Sequence, residues 1–278
     1  MRKVETKEYQ TFEAYKEFEE VFRAFGQMVL FAMAQFHPTT RDTIIRNFIA
    51  RALVMLKGVF QLWEIEDYQD CWALHRCMLD RLFHLNDLIV NDAFELFENW
   101  SFEQQYNTRN KIRSDGQYNS RLLSDFWKDT PEQKARMKQF QKDKPKWKRP
   151  FAEDVAKRMK LTPLYDYGYD YGSTLVHPMA NDGQRDFVNL TGLGNKEGFP
   201  DERAVINNSS LVTLLILRKG IKGSGLLWCG FVSDILEEFL KFFEDGSKAY
   251  KTTFMRIVAN GPDIIPMFCA KAPASDNA

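Results

Sequence analysis

The sequence predicts an all-α fold, a largely antiparallel multi-helix bundle, and three observations carry that expectation. Near the N-terminus, apolar residues recur at alternating steps of four and three, the spacing of a helix packed lengthwise on another. The first 115 residues read as almost unbroken helix with short connections. A hydrophobic share of 44%, with 14% aromatic residues and 23 Phe, supplies enough apolar surface for a sizeable core and excludes a disordered chain.

Phe18, Phe22, Phe25, Val29, Ala32 and Phe36 form the stripe of the first helix, which ends at His37-Pro38. Thr39 followed by Asp42 is a start signal for a second helix, whose apolar face is Ile45, Phe48, Ala52, Leu56, Val59 and Trp63. A third helix is predicted from about Asp67 to Val90 and a fourth from about Asp92 to Arg113. Between Gln133 and Arg149 eight basic residues stand against one Asp, and Pro145 and Pro150 forbid a continuous helix, so an exposed basic loop is expected at about 140–150. Residues 181–201 hold four glycines and Pro200 and predict an irregular Gly-rich connection. Helices resume over Glu202–Lys219 and Leu226–Phe243, divided by the turn sequence KGIKGSG. One helical domain over 1–245 and a loosely packed tail over 246–278 follow.

Thirty-eight basic and thirty-eight acidic residues cancel, so affinity for a nucleic acid or an acidic protein must come from a local patch. The four cysteines form no CxxC pair and have no His at zinc-ligand spacing, which points to reduced thiols and a cytoplasmic location. No run approaches the roughly 18 apolar residues of a membrane helix, and no signal peptide is visible. Exposed remnants of the first helix's Phe stripe would mark a homodimer interface.

Two segments could carry chemistry. On the third helix Arg76, Asp80 and His84 follow one another at four-residue steps, and Arg76 sits within an apolar face with Asp80 as its local partner. The second segment, YDYGYDYGSTLVHP, aligns Tyr165, Tyr169, Ser173 and His177 if it is a helix, which the ending at Pro178 favours over a strand. Together LHRCMLDRLFHLNDLIVND and YDYGSTLVHP resemble the bacterial all-helical family catalogued as domain of unknown function 5677, over roughly residues 40–240. Arg76 and Asp80 match that family's Arg and acid one turn apart, Asp standing where Glu is usual, and Tyr169, Ser173 and His177 match its Tyr-x-x-x-Ser-x-x-x-His helix. The resemblance implies a helical fold and this polar cluster, in a bacterial or phage protein from a stress or defence setting; it implies no reaction.

The cluster Arg76, Asp80, Tyr169, Ser173 and His177 has two readings. One is a hydrogen-bonded network pinning two helices. The other is a metal-independent ribonuclease in which His177 moves a proton and Arg76 holds a phosphate. Ribonucleases of the higher eukaryote and prokaryote nucleotide-binding helical superfamily carry Arg and His close together on one helix; here Arg76 to His84 is too long and Arg81 to His84 too short. GSTLV lacks the second Gly of a hydrolase nucleophile elbow, and Asp80, His84 and His177 are a weak metal pattern, so neither a metal nor a cofactor is expected. In the basic stretch, Lys134, Lys138, Lys142, Lys144, Lys146, Lys148 and Arg149 suit phosphate contact, with Trp147 placed to stack on a base. A helical protein acting by macromolecular interaction is the leading expectation, with the ribonuclease as the alternative.

Overall fold

A computed structural model describes residues 11–36, 38–115, 128–142, 147–177, 179–180, 183–194, 202–260 and 267–271. These residues are overwhelmingly helical, as the sequence predicts. They divide into two compact units, one made of residues 1–86 and 150–278 and the other of 87–149.

In the first unit α1 (Phe12–Ala34) and α2 (Thr40–Glu64) pack on each other and on α10 (Glu202–Gly223), while α11 (Gly230–Asp245) and α12 (Ala249–Ala259) close the same core. The Phe stripe of α1 is core: Phe18, Phe22, Phe25 and Val29 are fully buried, and Phe31 on the other side stays exposed. Phe18 is central. Its ring stacks on Phe242 at 4.8 Å and meets Phe239, Phe243 and Tyr250 edge-on at 5.1–5.6 Å, the offset and T-shaped geometries that aromatic quadrupoles favour. The expected loose tail, 246–278, contains α12 and a short strand β2 (Cys269–Lys271), with Tyr250 and Phe268 fully buried.

The start signal of α2 does more than cap. Thr39 Oγ1 accepts from Asp42 N at 3.1 Å and donates to Asp42 Oδ2 at 2.8 Å, while Asp42 Oδ1 accepts from Gly225 N at 2.8 Å. One carboxylate therefore fixes both the entry to α2 and the exit from α10. The turn predicted at KGIKGSG begins later than expected, because α10 continues to Gly223. After it comes β1 (Leu226–Trp228), paired antiparallel with β2, where a helix from Leu226 is predicted. Three residues after a tight turn are too few to start a helix whose apolar face would match the core, and α11 starts only at Gly230. Asp42→Ala keeps the Thr39 cap but removes the carboxylate that accepts from the Thr39 hydroxyl and leaves the Gly225 backbone N–H unpaired, so urea unfolding should show a loss of about 1–2 kcal/mol.

The third helix, α3, spans Tyr68–Asn91, and the predicted helix over the YDYG segment is present in a modified form. After α6 (Ala152–Met159) and the single turn α7 (Thr162–Leu164), residues Tyr165–Asp170 form a π-helical turn that runs directly into α8 (Tyr171–Val176). Within the Gly-rich connection, Gln184–Thr191 form α9, flanked by Gly183 and Gly192 in the left-handed conformation; residues 195–201 lie outside the described part. Among the described residues no helix is long and apolar enough to cross a membrane.

The second unit contains α4 (Phe94–Ser114) and α5 (Pro131–Lys142). A reciprocal capping box starts α5: Gln133 N donates to Thr130 Oγ1 at 3.2 Å and Thr130 N to Gln133 Oε1 at 3.1 Å, with Pro131 at the first helical position. The two helices run antiparallel, because Asp129 before α5 meets Arg113 near the end of α4, whereas Arg136 further along meets Glu98 and Asn99.

Candidate functional site

The π-helical turn explains how YDYGYDYG, rich in Asp and Gly, packs as a helix. Gly168 and Gly172 both face α3 at a separation no larger side chain tolerates. A Cβ on Gly168 would lie 2.5 Å from His75 Nε2 and 2.6 Å from Leu79 Cδ1; one on Gly172 would lie 2.8 Å from Arg76 Cβ and 3.1 Å from the Trp72 carbonyl oxygen. The glycines are the seat of the contact rather than a helix-breaking defect. A π turn bonds i to i+5 and is wider than an α turn, a form often kept at functional places.

Close approach brings four of the five cluster residues together. Arg76 Nε donates to Ser173 Oγ at 3.0 Å, and Arg76 Nη2 to the Tyr169 hydroxyl at 3.3 Å. The guanidinium also lies 4.7 Å from the centre of the Tyr169 ring. Tyr169 passes the link on, its hydroxyl donating to Asp80 Oδ1 at 3.4 Å, and Ser173 Oγ donates back to the Tyr169 carbonyl at 2.7 Å. Asp80 thus joins Arg76 through the Tyr169 hydroxyl. Tyr165 stacks on Tyr169 at 5.4 Å and completes the group, whose members are half-buried. His177 stands apart from these four: it ends α8 with extended backbone and its side chain is exposed.

The neighbouring residue, His75, escaped sequence reasoning. It is fully buried, with Nδ1 3.1 Å from Ser209 Oγ on α10 and its ring edge-on to Trp72 at 5.5 Å. Among the described residues Nε2 has no hydrogen-bonding partner. Burial pushes its pKa down to about 3, so the ring is neutral. The available signal was its place on the stripe Trp72, His75, Leu79, Leu82 and Asn86, all buried.

In the second unit the basic stretch divides. Lys134, Lys138 and Lys142 all lie on α5 and are exposed, so the helix runs on to Lys142, into the span expected as a loop. Arg136 and Phe140 point the other way: Arg136 Nη1 donates to Glu98 Oε1 at 3.0 Å and its guanidinium lies 4.3 Å from the Phe102 ring centre, while Phe140 meets Phe102 edge-on at 6.0 Å. A two-residue offset is about 200° around a helix, so the lysines face directly away from α4. Lys148 and Arg149 are also exposed; Lys144 and Lys146 lie outside the described residues. Trp147 corrects the expectation of a base-stacking ring on the surface. It is 7% exposed, 4.6 Å from the Trp100 ring and 4.9 Å from that of Phe97, because an indole gains more by burial in an aromatic cluster than by standing in water.

A family model described as a family of unknown function (DUF5677) matches residues 42–192, more than half the chain and a span that includes both sides of the Arg76 cluster. No curated protein and no solved structure matches.

Proposed function

Since this chain belongs to the DUF5677 family, whose function is unknown, we propose from its own geometry that it acts by macromolecular interaction, binding nucleic acid through the cationic face of α5. One observation carries this reading. Lys134, Lys138 and Lys142 form an exposed ladder with a rise of about 6 Å per step, on a helix whose opposite face is anchored by Arg136 and Phe140. A rigid row of ammonium groups suits a polyanion, because each phosphate neutralised releases condensed counterions. Exposed Lys148 and Arg149 add to the same sequence segment.

The Arg76 cluster supports the structural side of this reading. Its guanidinium already donates to two hydroxyls and lies over an aromatic ring, whereas a ribonuclease would need it aimed at a phosphate beside His177. A cytoplasmic setting is supported by free thiols at Cys71, Cys77, Cys229 and Cys269. The bacterial or phage setting, and a role in stress or defence, rest on the family resemblance alone.

The test is fluorescence anisotropy with labelled single-stranded RNA at several salt concentrations, with chelator present. Replacing Lys134, Lys138 and Lys142 together by Gln should weaken binding and reduce the slope of log affinity against log salt by about 2, at roughly 0.7 per phosphate contact. Tighter binding of polyglutamate than of RNA would replace the nucleic acid with an acidic protein. RNA cut by the wild type and left intact by a folded His177→Ala variant would overturn the non-enzymatic reading.

A further inference from the structure

The C-terminal half of α4 borders an open cleft of about 740 Å³, within the roughly 300–1,000 Å³ of ordinary ligand sites. Among the described residues its lining differs from such sites in holding no aromatic or aliphatic side chain. The amides of Gln104, Asn107 and Asn110, the hydroxyl of Thr108, and the cations of Lys111 and Arg113 make the wall.

The cations and amides are arranged rather than scattered. Arg113 Nη2 donates to Asp129 Oδ2 at 2.7 Å and to Asn110 Oδ1, which leaves the Asn110 NH₂ as the group able to meet an acceptor. Burial alone would raise the Asp129 carboxyl, but hydrogen bonds from Arg113 and Tyr106 hold it below the ordinary carboxylate range, so it stays ionised and keeps Arg113 in place. Gln104, Asn107 and Lys111 are exposed, with Gln104 and Asn107 three residues apart on one face.

We propose that this cleft reads unpaired bases, with a preference for adenine, in a single strand bound along the second unit. A primary amide presents a donor beside an acceptor, the complement of an adenine edge, and Asn and Gln are the side chains that pair with adenine in this way. Such edges are open only in unpaired strands, since a paired A-form helix hides them in a narrow groove. Lys111 supplies a phosphate contact beside the amides. The inference rests on the nucleic-acid reading of the α5 lysines and adds selectivity to it.

The experiment measures binding of 12-nucleotide oligo-A, oligo-C and oligo-U, and of an RNA duplex, to the whole chain. Wild type should prefer oligo-A by about tenfold or more and bind the duplex more weakly. A Gln104→Ala/Asn107→Ala double variant, changed at exposed positions only, should bring the three homopolymers within about twofold and leave the salt slope intact. The lysine triple variant should instead weaken all three alike. Equal binding of the three homopolymers by the wild type, or a preference that survives the double variant, overturns the base-reading cleft while leaving the lysine reading standing. Binding of no oligonucleotide at all overturns both.

Discussion

Replacing Gly168 by valine should lower the unfolding free energy by about 3 kcal/mol, the upper end of what overpacking a filled site costs. The new Cβ alone would stand 2.5 Å from His75 Nε2 and 2.6 Å from Leu79 Cδ1. Neither neighbour can step aside: Leu79 is fully buried, and His75 is fully buried with Nδ1 against Ser209. The π turn would have to lift from α3, which would also pull Tyr169 and Ser173 away from Arg76. Urea denaturation read by circular dichroism measures this directly. Gly230→Ala is the control, because a Cβ there meets nothing within 4 Å. A Gly168→Val midpoint equal to that of Gly230→Ala would mean that the two helices are not seated as described.

The same residues show what a sequence can and cannot announce. Helical class and the α1 stripe were legible because a period near 3.6 is a property of one chain segment read alone. Arg76, Tyr169, Ser173 and Asp80 were legible as a group only through the family resemblance, since nothing local says that residues almost a hundred apart will meet. Gly168 and Gly172 were misleading: in isolation glycine weakens a helix, and only the presence of a partner helix turns a missing side chain into a contact surface. Trp147 failed for a related reason, because lysines on either side suggest an exposed ring whereas Phe97 and Trp100, fifty residues away, bury it. Lys142 was expected in the loop and lies instead in the last turn of α5, since the prolines that break the helix come only after it.

His75 sets an expectation about acid. Its ring nitrogens are buried, one against Ser209 and one with no partner among the described residues, and burial holds its pKa at about 3 rather than 6.5. The folded state therefore stays unprotonated at His75 where the unfolded chain has already taken up a proton. Between those two values the unfolded state binds about one proton more, so stability present above pH 6.5 is lost as pH falls, at about 1.4 kcal/mol per pH unit. Carboxylates held low, such as those of Glu17 and Asp129, also weaken the fold in acid, so the slope must be read as a difference. Against a His75→Gln variant, which cannot take up this proton, the wild type should lose about 2 kcal/mol more between pH 7 and pH 5. Parallel curves for the two proteins would mean that water already reaches the ring, and with it the seam between α3 and the π turn. A steeper wild-type curve would place the dry contact at that seam and identify His75 as the residue whose charge opens it.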